Sequence, residues 1–287
     1  MKTIDELGQK PTRDGTGGEV TDLEFLAALA KEAGRAILEV YDSEFVVERK
    51  EDRSPLTEAD TRSHQIISRA LEERYPDIPV LSEEGKEIDY SIRSTWSRFW
   101  LVDPLDGTKE FVKRNGEFTV NIALVENGRP IWGVIYIPVT DVCYVADVTR
   151  GAWRLIEGKR QPLSVTAPRH ENIRVVKSRS HPSPQLEEVL QLLAKHEVIT
   201  RGSALKFCAV AAGEADFYPR FGPTWEWDTA AGQAIVTAAG GVVVDFSGIP
   251  LAYNKSSLLN GPFLVSSDLI WLKKTGIFAK TAALELH

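Results

Sequence analysis

From residue 21 onward, two hydrophobic spacings share the chain. In "LEFLAALAKEAGRAILEVY", Leu23, Leu26, Ala27, Ala30, Ala33, Ile37 and Leu38 recur every three or four positions, the period of an amphipathic helix, with Thr21-Asp22 placed to cap it. "EFVVERK" reads as a strand and "EDRSPLTEAD" as a polar turn. "ADTRSHQIISRALEERY" reads as a second helix, stopped before Pro76. "IPVLSEE" and "RFWLVDP" then predict strands, "FTVNIALVENGRPIWGVIYIP" a hairpin, and "DVCYVADVTRGAWRL" the continuation of an antiparallel meander. After about Pro168 helices and strands alternate. "NIRVVKSRS" predicts a strand, "SPQLEEVLQLLAKH" a helix, "EVITRGSALKFCAVAAGEADFYPR" a strand or loop and a helix, "EWDTAAGQAIVTAAGG" a helix, and "VVVDFSG" and "FLVSS" strands. The pattern divides the chain into a leader over 1–20, an α+β lobe over 21–167 and an α/β lobe over 168–287.

Composition narrows the class. With 43% hydrophobic and 26% charged residues, the sequence is that of an ordinary globular protein. A formal charge of −7 disfavours nucleic acid polymers and anionic lipid as partners. No apolar run approaches the roughly 18 residues needed to span a bilayer. "MKTIDELGQKPTRDGTGGEV" has no apolar signal region and reads as a flexible leader, and the final "LELH" reads as lying outside the fold. Cys143 and Cys208 stand in unrelated contexts, which disfavours a disulfide framework or thiolate zinc site and points to the cytoplasm. A homodimer is compatible with all of this.

Acidic residues stand where the chain changes direction: Asp60 at an expected helix start, Glu83 and Glu84 after a strand, Asp103 and Asp106 in "WLVDPLDGTKEF", and Asp228 at the opening of a helix. Singly, each has an ordinary reading as a helix cap, a turn residue or a solvated charge. The Asp103–Asp106 turn weakens that reading. Pro104 holds Asp103 extended and Gly107 allows positive φ, so both carboxylates can point into one space. Two carboxylates held close in a partly buried place repel unless a proton or cation joins them. Oxygen-only donors, the Leu105 carbonyl among them, favour Mg²⁺ or Mn²⁺ over zinc.

These residues, "SPLTEAD", "LSEEG", "DPLDGT" and "WDTAAG" in that order, resemble the signature of the lithium-sensitive, Mg²⁺-dependent phosphatases. That family includes inositol monophosphatase, fructose-1,6-bisphosphatase and the 3′(2′),5′-bisphosphate nucleotidases. The resemblance implies an α+β fold layered as an α-β-α-β-α sandwich. "DGTKEF" and "GSALKFCAVAAGEADFYPRFGPTWEWDTAAG" are similar to the bacterial bisphosphate nucleotidase branch, although "TWEWD" departs from its usual pattern. The implied reaction is Mg²⁺-dependent hydrolysis of the 3′-phosphate of adenosine 3′,5′-bisphosphate, with its sulfated form as a further candidate. An inositol or broader sugar phosphatase is the alternative, and a non-enzymatic binder of metal or nucleotide is a third.

The resemblance also implies roles. Glu83, Asp103 and the Leu105 carbonyl would hold one Mg²⁺; Asp103, Asp106 and Asp228 a second; a third weaker ion would sit near Glu83, with Glu84 supporting the ligands from behind. Asp60 and Thr108 would pair to orient and deprotonate the attacking water. Gly107, Ser203, Lys206, Arg220 and His181 would bind a small phosphorylated substrate, with Lys109 and Glu110 behind the site. The ordinary reading of the substrate set is a capping serine and two solvated cations.

Overall fold

The structure is a computed structural model and describes residues 21–43, 55–168 and 172–284. The leader, the strand expected over 44–50 and the last three residues lie outside the described residues. Helix α1 (Asp22–Tyr41) opens as its sequence predicts. The Thr21 hydroxyl accepts the Glu24 amide at 3.3 Å, and the Glu24 carboxylate accepts the Thr21 amide at 2.9 Å, a reciprocal cap. Helix α2 (Pro55–Arg74) begins four residues before the expected start, with proline at its first position, where a missing N–H costs nothing. Asp60 therefore lies in the second turn and not at the helix start.

The first sheet follows: β1 (Val80–Ser82), a short helix α3 (Tyr90–Arg93), β2 (Arg98–Asp106), a short helix α4 (Thr108–Val112), β3 (Thr119–Glu126), β4 (Arg129–Ile137), β5 (Val142–Asp147), β6 (Gly151–Ile156) and β7 (Lys159–Leu163). These seven strands lie side by side in chain order. All neighbours are antiparallel except β1 and β2, which run parallel. The expected antiparallel meander does not extend to β1: α3 and its flanking loops bring the chain back for a parallel start.

The second part contains β8 (Ile173–Ser178), α5 (Pro184–Leu190), β9 (His196–Arg201), α6 (Leu205–Ala211), β10 (Phe217–Arg220), β11 (Thr224–Trp225), α7 (Glu226–Ala238), β12 (Val242–Asp245), β13 (Leu259–Asn260), β14 (Phe263–Ser266), α8 (Leu269–Lys274) and α9 (Ile277–Leu284). Five strands form a mixed sheet in the order β12-β14-β10-β8-β9, and β11 pairs with β13 in a separate ribbon. The helix expected from Ser183 to His196 stops at Leu190, and His196 opens β9.

Three cores define the layering. Alternate residues of β2 go to opposite sides: Trp100 and Val102 pack with Leu26, Ile37 and Leu71 of α1 and α2, while Phe99 and Leu101 pack with Phe207 and Ala231 of α6 and α7. Val176 and Val243 of the second sheet join that middle core. Its other face carries Val175 and Leu264 against Val189 of α5, Trp271 of α8 and Ile277 of α9. The order is helices, sheet, helices, sheet, helices, the expected α-β-α-β-α sandwich. Each large apolar side chain so buried contributes about 1.5–3 kcal/mol, and their sum places α6 and α7 between two stiff sheets. Among the described residues no helix is long and apolar enough to cross a membrane.

Candidate active site

The site is built on a defect in β2. Asp103 pairs with Asn121 of β3, but Asp106 pairs with Thr119, so three steps along one strand match two along its neighbour. In a regular strand residues three apart face opposite ways. The extra residue resets the alternation and turns Asp103 and Asp106 to the same side. Ser63 of α2 donates to the Pro104 carbonyl at 2.8 Å, and the Leu105 amide donates to Asp103 Oδ1 at 3.1 Å. Gly107 then takes φ +94°, a left-handed turn that starts α4 with Thr108 as its first residue.

One oxygen each from Glu83, Asp103 and Asp228 lies within 4.8 Å of the others. Asp103 is buried, and Glu83, although an exposed residue overall, turns its carboxyl into the cluster. Asp228 comes from the first turn of α7, where its Oδ2 accepts the Trp225 amide at 2.8 Å, so it caps the helix and faces the site at once. Asp106 is oriented by polar neighbours: its Oδ2 accepts from Ser203 Oγ at 2.5 Å and from Asn121 Nδ2 at 3.4 Å. Thr119 Oγ1 donates to Asn121 Oδ1 at 2.9 Å and meets Ser203 Oγ at 2.6 Å. Thr119 and Asn121 are fully buried and escape sequence reading, because "FTVNIALV" reads as an ordinary strand. Their alternation on the inward face, opposite the acidic turn, is the one signal of them in the sequence.

The acids perturb one another. Burial, then repulsion from Glu83, Asp106, Asp228 and Asp60, raises Asp103 well above the carboxylate range. Burial and Asp106 push Glu83 up to about 7, and burial and Asp106 push Asp228 up to about 8. Asp60 is pushed to about 8 by burial, then by Glu84 and Glu83, and it shares a hydrogen bond with Glu84. The Asp60 Oδ1 atom is buried with no hydrogen-bond partner. Among the described residues no hydrogen bond joins Asp60 to Thr108; Asp60 is turned to Glu84. So many carboxyls with depressed acidity, all oxygen donors, and one orphaned buried oxygen fit a hard divalent cation, which removes the repulsion.

A cavity of about 150 Å³ opens beside the cluster. Asp106, Gly107, Thr108 and Asp228 line it together with Ser203, Lys206, Arg220 and His181. Ser203 sits just before α6 at φ +45°, a left-handed conformation that a serine keeps only under constraint. The Lys206 ammonium donates to the Ser203 carbonyl and lies 5.5 Å above the Tyr218 ring. Burial pushes Lys206 down to about 8, against the opposing pull of Asp106. Arg220 ends β10 and is tied to its own turn through the Gly222 and Pro223 carbonyls at 3.1 and 3.0 Å. Burial, then the cations Arg220, Lys109 and Lys206, lowers the His181 pKa and keeps that ring neutral. The expected residues thus converge in two adjoining groups: the acids Asp103, Asp106, Asp228 and Glu83, with Asp60 and Glu84 near them, and Ser203, Lys206, Arg220 and His181 along the cavity.

Residues 19–281 match the inositol monophosphatase family. The chain is 51% identical over 247 residues to the 3′(2′),5′-bisphosphate nucleotidase CysQ of Salmonella typhimurium, covering 85% of this chain and 99% of that protein. Its fold superposes on that of CysQ from Bacteroides thetaiotaomicron with a TM-score of 0.77 at 45% identity, covering 84% of this chain and 96% of that one. A staphylococcal IMPase-II solved with bound 2′-AMP superposes with a TM-score of 0.71 at 25% identity, covering 92% of this chain and 98% of that one. The fold, the acidic turn and these likenesses agree, and the chain belongs to the inositol monophosphatase family.

Proposed function

We propose that this chain is a Mg²⁺-dependent 3′(2′),5′-bisphosphate nucleotidase that removes the 3′-phosphate of adenosine 3′,5′-bisphosphate in the cytoplasm. One observation carries the reading: a single small cavity is lined both by the carboxylates Asp106 and Asp228 and by Lys206, Arg220 and His181. A phosphate approaches the carboxylates only with cations between, whereas the basic side chains take an anion directly. A substrate with two phosphates satisfies both sets. The identity to bisphosphate nucleotidases over most of the chain supports the same choice.

Glu83, Asp103, Asp106 and Asp228, with the Leu105 carbonyl, are the residues that would hold the Mg²⁺ ions. When bound, such ions lower the pKa of a coordinated water and neutralise charge on the phosphoryl and leaving oxygens. Thr108, presented by the Gly107 turn, orients the attacking water. Asp60 Oδ1 receives the proton, and Glu84, hydrogen-bonded to Asp60, holds that carboxyl in place. Ser203 and Asn121 fix the Asp106 carboxylate, while Lys206 and Arg220 bind the second phosphate.

The deciding experiment is phosphate release from adenosine 3′,5′-bisphosphate and inositol 1-phosphate, side by side at equal concentration with Mg²⁺. The bisphosphate is expected to turn over much faster; preference for the inositol phosphate would overturn the substrate assignment. Lys206→Ala is expected to raise KM about tenfold for the bisphosphate, and far less for adenosine 3′-monophosphate. Equal effects on the two would remove Lys206 from second-phosphate binding.

A further inference from the structure

Three consecutive residues after β8 each take a partner from the stretch that follows the acidic turn. Arg179 grips Glu117 with two parallel bonds, Nε to Oε2 at 2.7 Å and Nη2 to Oε1 at 2.8 Å. Ser180 Oγ donates to Glu110 Oε1 at 2.6 Å, and the Lys109 ammonium donates to His181 Nε2 at 3.0 Å. Glu117 also holds a second segment, because its Oε2 accepts the Gly202 amide at 2.6 Å. The approach there is close enough that a Cβ on Gly202 would meet Glu110 Cγ at 2.6 Å and Glu117 Cβ at 3.0 Å. Gly202 immediately precedes Ser203, the residue in the left-handed conformation that bonds Asp106.

One carboxylate therefore fixes two walls of the cavity at once. The first is the 179–181 segment, which carries His181, a residue that lines both the catalytic cavity and a neighbouring one of about 650 Å³ that also borders Arg220. The second is the 202–203 segment at the foot of α6, whose next turn carries Lys206. Both are tied to Glu117, in the stretch between α4 and β3. The bidentate geometry gives this clip direction as well as strength.

We propose that Glu117, through Arg179 and the Gly202 amide, is a positioning residue that sets specificity for substrates with a second anionic group. The clip rests on the bisphosphate reading above, and it acts by holding the basic wall at a fixed distance from the carboxylates. Its Arg179 arm touches no reacting atom and no residue that holds Asp106, so loss of that arm weakens recognition of the second phosphate and spares the chemical step.

The test uses the full chain carrying Arg179→Ala, a partly exposed position, and Glu117→Ala. KM for adenosine 3′,5′-bisphosphate is expected to rise about tenfold in Arg179→Ala, as two charge-assisted bonds are lost. Its kcat and the KM for adenosine 3′-monophosphate should stay near wild type, and Arg179→Lys should recover part of the loss. Amide hydrogen exchange supplies a readout independent of substrate. Arg179→Ala should speed exchange over 179–181 and leave the Gly202 amide protected, whereas Glu117→Ala should speed both. Equal KM increases on mono- and bisphosphate would overturn the specificity role, and unchanged exchange would overturn the clip. A wild-type enzyme with no preference for the bisphosphate would overturn the functional reading and this specificity role together, with exchange still deciding whether the clip holds the two segments.

Discussion

Asp103→Asn is expected to lower kcat about a thousandfold, equivalent to about 4 kcal/mol of barrier, and at the same time to raise the thermal stability of the metal-free protein. The two effects share one cause. Asp103 is fully buried among Glu83, Asp106, Asp228 and Asp60, and its pKa stands well above the carboxylate range. At pH 8 the folded protein must keep a proton there, or carry an unpaired buried charge, while the unfolded chain ionises freely. That difference subtracts from stability. Asparagine has the same shape, never ionises, and its Oδ1 can still accept the Leu105 amide that Asp103 accepts at 3.1 Å. The charge that attracts the cations is gone, and with it the reaction. Phosphate release and thermal unfolding in chelator at pH 8 check both halves, with a Tm increase of about 2–4 °C expected for each kcal/mol recovered. Activity near wild type would dismiss the carboxylate cluster as the catalytic centre. An inactive variant that unfolds at lower temperature would mean that the acid stabilises the fold.

That opposition between stability and function is also why so much of the site is legible in the sequence. Acids bunched where strands end are poor structural choices, and "DPLDGT" sets two of them around a proline and before a glycine. Hydrophobic periodicity gives most elements of the first sheet for the same reason that β2 is buried on both faces: each side chain has one core to enter. Periodicity fails where the elements are short or their ends are set by partners far along the chain. The parallel pairing of β1 depends on the return through α3, and α8 and α9 pack on the outer core through scattered residues such as Trp271 and Ile277. "SPLTEAD" looks like a cap and suggests a helix start at Asp60, whereas Pro55 begins the helix earlier. The polar supports of the site are scarcely legible, the alternation of Thr119 and Asn121 being their one trace. Thr119 and Asn121 follow from the bulge, and Glu117, Arg179 and Gly202 meet only because segments 62 and 85 residues further along the chain fold back against Glu117.

The second large effect is on stability against pH, which should run opposite to the usual behaviour of a protein with paired carboxylates. Asp60, Glu83 and Asp228 titrate at about 8, 7 and 8 in the folded protein, against ordinary values near 4 in the unfolded chain. Below about pH 4 both states hold these protons and the groups contribute nothing. Between about pH 4 and pH 8 the folded state binds more protons than the unfolded state, so each rise in pH costs stability. Lys206 has the opposite sign: burial lowers it to about 8, so from there up to its ordinary value the unfolded chain binds the extra proton and the Lys206 contribution recovers. Metal-free protein should therefore unfold at a temperature that falls by about 10 °C between pH 5 and pH 8. Added Mg²⁺ competes with those protons, so its stabilisation should be small at pH 5 and large at pH 8, reaching about 2.7 kcal/mol at a hundred times its Kd. Thermal scans in chelator and in Mg²⁺ across this range measure both slopes. A metal-free Tm that climbs from pH 5 to pH 8, or a Mg²⁺ increment equal at both ends, would show that the carboxylates do not share one buried, cation-seeking cluster.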